Sequence, residues 1–139
     1  MSRVPIIGDH AFRGAAWIGA AYLTDIIDIH GEAFKDSDTD GVLSITGDAS
    51  TTNIAGNFIC QGSGFTSLIL IDVPTVGDHA FRGSLQLEQV SFAESSIIYL
   101  GASAFQDCSL LSNVSIPSSI TYIGDEVFKN CISLRYLNI

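Results

Sequence analysis

At 139 residues, with 47% hydrophobic and 15% charged residues and a formal net charge of −9, the chain has the make-up of one folded domain and not of a disordered tail. Six basic residues cannot supply the clustered Lys and Arg that nucleic acid or an anionic membrane surface demands. Its longest apolar runs, such as residues 67–76, are broken by Asp72 and Pro74 well short of the ~20 residues of a membrane span.

The chain starts Met1-Ser2-Arg3-Val4-Pro5, without the apolar stretch of a secretory signal. Its three cysteines, Cys60, Cys108 and Cys131, do not make a complete disulfide framework. Both features lean toward a cytoplasmic setting, with the cell surface left open.

In chain order the first motif is Gly8-Asp9-His10-Ala11-Phe12-Arg13-Gly14. It returns letter for letter at residues 77–83, an offset of 69, or three times 23. Intervals near 23 recover the copies between and beyond. Ile29-His30-Gly31-Glu32-Ala33-Phe34 is one, and Ile54-Ala55-Gly56-Asn57-Phe58-Ile59 is a degenerate second. Leu100-Gly101-Ala102-Ser103-Ala104-Phe105 and Ile123-Gly124-Asp125-Glu126-Val127-Phe128 complete the set. The bulky anchors are thus Phe12, Phe34, Ile59, Phe81, Phe105 and Phe128, spaced 22, 25, 22, 24 and 23 residues apart.

Each turn carries a second apolar signature after its anchor. It runs Ile18/Ala21/Leu23, Val42/Ile45/Gly47, Leu68/Ile71/Val73, Leu87/Val90/Phe92, Leu111/Val114/Ile116 and Leu134/Leu137/Ile139. The last two members alternate with mostly polar residues, as in a strand with one buried face. A third apolar pair precedes each anchor: Val4/Ile7, Ile26/Ile29, Thr51/Ile54, Val73/Val76, Ile97/Leu100 and Ile120/Ile123. Three inward-facing elements in ~23 residues close no core of their own, but stacking turn on turn buries them continuously. The expectation is a single domain over residues 1–139, an α/β solenoid of about six turns.

The segment between these pieces suggests short helical or 3₁₀ turns opposite a parallel sheet. Asp9, Asp78 and Asp125 follow a glycine and precede the anchor by three residues, where a carboxylate can cap the free amides of a helical turn. Three residues after each anchor stand Ala15, Ser37, Gly62, Ser84, Cys108 and Cys131. A uniformly small position on the face of a bulky one is a packing rule.

Residues 116–137, Ile-Pro-Ser-Ser-Ile-Thr-Tyr-Ile-Gly-Asp-Glu-Val-Phe-Lys-Asn-Cys-Ile-Ser-Leu-Arg-Tyr-Leu, resemble a unit of the BspA-like, or treponemal-type, leucine-rich repeats. The resemblance extends over essentially the whole chain, strongest over residues 76–139 and weakest over residues 36–66. It implies a right-handed superhelix with a parallel sheet on one side and short helical turns on the other. It also implies protein binding, with adhesin-like or surface-antigen-like roles among bacterial and protozoan surface proteins.

Residues able to do chemistry are few. His10 and His79 hold one repeat position three turns apart, at least about 14 Å at the spacing of parallel strands, and so share no metal. His30 reads as a solvent-facing turn residue. Cys108 and Cys131 share the small position on adjacent turns and read as stacked free thiols, while Cys60 has no evident partner. Asp36-Ser37-Asp38-Thr39-Asp40-Gly41 matches the start of a calcium loop through Asp36, Asp38 and Asp40. Gly47 stands where that loop needs its glutamate. The competing reading is an enlarged polar turn. Asn113-Val114-Ser115 matches a glycosylation sequon on an outward strand position. No nucleophile, base and metal set converges, so no cofactor is expected and an enzyme is not.

What remains is the surface that the repeats display. The outward strand positions form one column of Ala20, Ser44, Leu70, Gln89, Asn113 and Tyr136 and another of Tyr22, Thr46, Asp72, Ser91, Ser115 and Asn138. Small polar residues with a few aromatics suit a protein partner, and equally suit a plain exposed sheet. The last residue, Ile139, is itself an inward position, so end-to-end self-association or a longer parent array is expected. The leading function is a non-enzymatic protein-interaction module. The alternatives are a calcium-binding or calcium-stabilised repeat element and a fragment of a longer array without a separate role.

Overall fold

The computed structural model describes residues 6–16, 19–48, 52–54, 56–93 and 97–138. Two strands alternate in each turn, one long and one of two residues. The long ones are β2 (Ala21–Ile26), β4 (Val42–Gly47), β6 (Ser67–Ile71), β8 (Gln89–Ala93), β10 (Asn113–Ser115) and β12 (Tyr136–Asn138). They pair in parallel and in chain order as one six-stranded sheet. The short ones are β1 (Ile6–Ile7), β3 (Asp28–Ile29), β5 (Asn53–Ile54), β7 (Thr75–Val76), β9 (Tyr99–Leu100) and β11 (Tyr122–Ile123). They make a β1–β3 pair and a four-stranded sheet from β5 to β11. The chain is a parallel-sheet β-solenoid of about five turns from the first long strand to the last.

Alternation along the long strands builds the core. Leu68 and Leu70, Val90 and Phe92, and Val114 with Ile116 point inward and are buried. Ile29, Ile54, Val76 and Leu100 on the short strands are fully buried against them. The anchors complete the interior as a stack of rings. Phe81, Phe105 and Phe128 lie nearly parallel with centroids 5.6 and 5.9 Å apart, and Phe92 meets Phe105 edge-on. Burying each large apolar side chain contributes about 1.5–3 kcal/mol.

The expected helical side is absent: the described residues contain no helix. The reason is a pair of left-handed residues in every turn, four positions apart. They are His10 and Gly14, Glu32 and Asp36, Phe58 and Gly62, His79 and Gly83, Ser103 and Asp107, and Glu126 and Asn130, all with φ between 55° and 73°. A left-handed residue interrupts the helical course and redirects the backbone. Amides of alternate residues therefore point along the solenoid to the next turn, as in His79 N–H to Ala102 O, Phe81 to Ala104 and Gly83 to Gln106, each at 2.9 Å. The residues between bond back within their own turn, as Ala80 does to Gly77 and Arg82 to His79. Asp78 follows the same logic. It does not cap its own turn; its Oδ1 accepts the Ala102 amide of the next one at 2.8 Å.

The third turn is out of step with the sequence reading. Its left-handed pair is Phe58 and Gly62, and the Ser63 amide bonds Cys60 O as the Ser84 amide bonds Phe81 O. Cys60 therefore occupies the anchor position and Ser63 the small one. Ile59, expected as the anchor, is fully buried but sits one place earlier, where Ala33 and Ala80 sit in their turns. Phe58 follows Ile54 by four residues, where in the other turns the left-handed residue follows the last residue of the short strand by three, and that one-residue excess is the shift. A larger residue at 59 offsets the smaller one at 60, and Phe65, edge-on to Phe34 at 5.8 Å, fills the remaining space.

The inward set moves with it. Leu43 rather than Val42, and Leu68 with Leu70 rather than Leu68 with Ile71, face the core. Val4, Ile18, Thr51 and Ile139 lie outside the described residues.

The small position stacks as expected. Ser37 and Ser84 hydroxyls donate to the anchor carbonyls of their own turns, both at 2.8 Å. The Cys108 and Cys131 thiols donate instead to Phe81 O and Phe105 O of the preceding turn, at 3.3 and 3.1 Å. All three cysteines are free. Burial pushes the Cys60 thiol up to about 12, against a smaller opposing effect of Ser63. Cys131 is pushed up to about 11, and Cys108 is raised as well, both first by burial. None is a thiolate at neutral pH.

Three outcomes test this account. Phe105→Ala removes the middle ring of the stack and should cost about 3–5 kcal/mol, read as a lowered denaturant midpoint at constant slope. Asp36→Val, at a left-handed position, should cost about 1–2 kcal/mol, whereas Asp36→Gly should be neutral or stabilising. In native buffer at pH 8 iodoacetamide should leave Cys60 and Cys108 unmodified while all three thiols react in denaturant, as intact-mass spectra would show.

Candidate functional site

The strand register places the exposed columns of the long-stranded sheet. Pairing of Val42 with Ser67, Ser67 with Gln89, Gln89 with Asn113 and Asn113 with Tyr136 defines the first. Pairing of Tyr22 with Ser44, Ser44 with Ile69, Ile69 with Ser91, and of Ser115 with Asn138 places these residues in the second.

Gln89, Asn113 and Tyr136 stand in the column expected for them, and Tyr22, Ser91, Ser115 and Asn138 in theirs. Ser44 belongs to the second column and is mostly covered. Thr46 pairs with Ile71 nearer the strand ends. Leu70, expected on the face, is 2% exposed and belongs to the core. Asp72 lies just past β6 in a left-handed conformation, off the sheet. Val42, Ser67 and Ile69 are the face residues that sequence reasoning missed. Their strands carry apolar residues on both sides, so alternation alone allows two registers.

The face is shallow and uncharged. A groove of about 440 Å³ runs over Ser67, Ile69, Gln89, Ser91, Asn113 and Tyr136. Tyr136 lines the groove, and Tyr22 stands on the opposite edge strand of the sheet; they are 71% and 73% exposed. The two columns hold no Asp, Glu, Lys or Arg in a chain of net charge −9. Ion pairs gather on the turn side, where Glu32 meets His10 at 3.0 Å, Lys35 at 3.2 Å and Arg13 at 3.3 Å. The hydrogen bond from Lys35 first, then the charges of Lys35 and Arg13 and the hydrogen bond with His10, hold the Glu32 carboxyl below its usual range against a smaller opposing effect of burial. Arg82 pairs with Asp107 at 3.3 Å and lies over the Phe58 ring.

The calcium candidates do not form a cage. Asp36 closes the second turn as one of the left-handed pair. Ser37 is buried on Phe34 O, the Asp38 amide bonds Ala15 O at 2.9 Å, and Thr39 donates to Gly19 O at 2.9 Å. These bonds lay the segment as a regular rung against the first turn, with the three carboxylates spread along its outer edge. Among the described residues no group of three or more His, Cys, Asp or Glu has metal-holding geometry. His10 and His79 stay apart: His10 pairs with Glu32, and His79 stacks on Phe58. His30 lies 3.4 Å from Asp28 on the half-exposed turn surface. No helix of the described residues is long and apolar enough to cross a membrane.

A second exposed column was also missed. Asn53, Thr75, Tyr99 and Tyr122 pair in register across the short-stranded sheet, and the two tyrosine rings stack at 4.8 Å. The signal was available as two tyrosines, each directly before an inward residue, 23 positions apart.

No curated protein and no solved structure is significantly similar to the chain. A family model, the BspA type leucine-rich repeat region, matches with six copies over residues 27–139. Periodicity, stacked anchors and family match agree, and the chain belongs to the BspA-type leucine-rich repeat family.

Proposed function

We propose that this repeat module is a non-enzymatic protein-binding element that receives its partner on the long-stranded sheet. The observation that carries the reading is the neutrality of that face within an acidic chain. Neutral side chains are cheap to desolvate, whereas charges resist removal from water. Depletion of charge with tyrosine at hand is the composition of an interface core. Gln89, Asn113 and Asn138 supply hydrogen-bond donors and acceptors that fix the orientation of a bound chain. Leucine-rich repeats commonly serve as interaction modules, which supports the class; an adhesin-like role is the finer form of the same proposal.

The test compares the native chain with Tyr22→Ala, Gln89→Ala, Tyr136→Ala as paired baits, with captured proteins identified by mass spectrometry and rebound in purified form. Surface changes of this kind shift stability by only about 0.5 kcal/mol each, so both baits should melt alike. A purified partner that binds the native chain should lose at least about tenfold in affinity for the triple variant, the loss of a single modest hot spot. Equal affinity for both baits would remove the sheet face from the proposal.

A further inference from the structure

The tyrosine ladder on the short-stranded sheet stops one rung early. Tyr122 and Tyr99 stack at the spacing of adjacent strands, 4.8 Å with 10° between planes. The next position in register is Thr75, too small to cover the other face of Tyr99. A groove of about 490 Å³ opens there, lined by Tyr99, Thr75, Asn53, Asn57, Asp78, His79 and the backbone at Gly77.

Among the described residues, the polar groups around this open ring face keep bonding capacity to spare. No described residue hydrogen-bonds the side-chain amides of the exposed Asn53 and Asn57. Asp78 uses Oδ1 on the Ala102 amide and keeps its second oxygen as a free acceptor. Its charge also lies near enough to Tyr99 to help raise that phenol, after burial and ahead of Tyr122. The site therefore offers one flat aromatic wall ringed by two amides, a hydroxyl and a carboxylate, in an open and shallow groove.

We propose that this groove binds a neutral saccharide, one pyranose ring stacking on Tyr99 over Thr75 while its hydroxyls meet Asn53, Asn57 and Asp78. A pyranose has a C–H face that suits the electron-rich ring and a rim of hydroxyls that satisfies the surrounding donors and acceptors. An aromatic side chain stacks equally well but leaves the carboxylate and amides desolvated without partners, and a nucleobase meets them only along one edge of its plane, where a pyranose carries hydroxyls around its whole rim. Phosphorylated sugars and uronates are repelled by Asp78 within a chain of net charge −9. The groove lies on a different sheet from the face assigned to protein binding, so either reading stands without the other.

The probes are methyl β-D-glucopyranoside, methyl β-D-galactopyranoside, methyl α-D-mannopyranoside, N-acetylglucosamine and, as a competing class, adenosine, each read by saturation-transfer NMR against the full chain. At least one glycoside should saturate in the millimolar range, below about 50 mM, as suits a shallow single-ring site. Thr75→Tyr completes the ladder on a position that tolerates a β-forming aromatic. It should abolish binding with no fall in melting temperature, and Asn57→Ala should weaken binding about fivefold, the worth of one hydrogen bond. The proposal is overturned if every glycoside fails against the native chain, if adenosine alone binds, or if Thr75→Tyr binds the glycoside as well as the native chain does.

Discussion

The architecture rests on the backbone bonds that each turn makes with the next. Parallel strands on two sides and the pairs of left-handed residues on the third hold successive turns at one strand spacing. Side chains at equivalent positions must then stack at that spacing. Rings lie over rings, as Phe81, Phe105 and Phe128 do, and small residues lie over small residues, as Ser84, Cys108 and Cys131 do. The sequence repeat is the chemical image of this constraint: a bulky residue at the small position would collide with the turn before it or force the ladder apart.

Turn three shows how much deviation the constraint tolerates. An extra residue between Ile54 and Phe58 displaces the turn by one, and no aromatic remains at its anchor. The interior survives because volume is redistributed locally, with Ile59 where neighbouring turns have alanine, Cys60 where they have phenylalanine, and Phe65 folded across Phe34. Conservation of total volume is what a close-packed interior requires, more than the identity of any one residue. The same displacement explains why sequence reasoning found Ile59 in the core and yet gave it the wrong role.

The repeat and the stacking were legible because the motif Gly-Asp-His-Ala-Phe-Arg-Gly recurs intact at residues 8 and 77. The turn side was not, because a bulky residue and a small one three apart fit a helix and a compact non-helical turn equally. A discriminating signal lay one place away. Gly14, Asp36, Gly62, Gly83, Asp107 and Asn130 are all drawn from the residue types that accept a left-handed backbone. On the sheet face the polar columns of β8 and β10 were legible from strict alternation. Leu70 was misplaced because residues 67–71 read Ser-Leu-Ile-Leu-Ile, apolar on both sides. That leaves two exposed faces of contrasting chemistry, a neutral expanse over the long strands and an aromatic step with amides over the short ones.

The turn-side bonding also has an electrical consequence. The bonds from His79 to Ala102, Phe81 to Ala104 and Gly83 to Gln106, then from Ser103 to Asp125, Phe105 to Val127 and Asp107 to Lys129, all run from lower- to higher-numbered residues. The peptide dipoles they join are therefore aligned along the solenoid axis, where those of a helix align along the helix. That side of the molecule is polarised from rung to rung, its amide-positive sense toward increasing residue number. The flanking bonds, such as Gly101 N–H to Val76 O and Gly64 N–H to Ser37 O, run the other way and confine this polarisation to the turn itself.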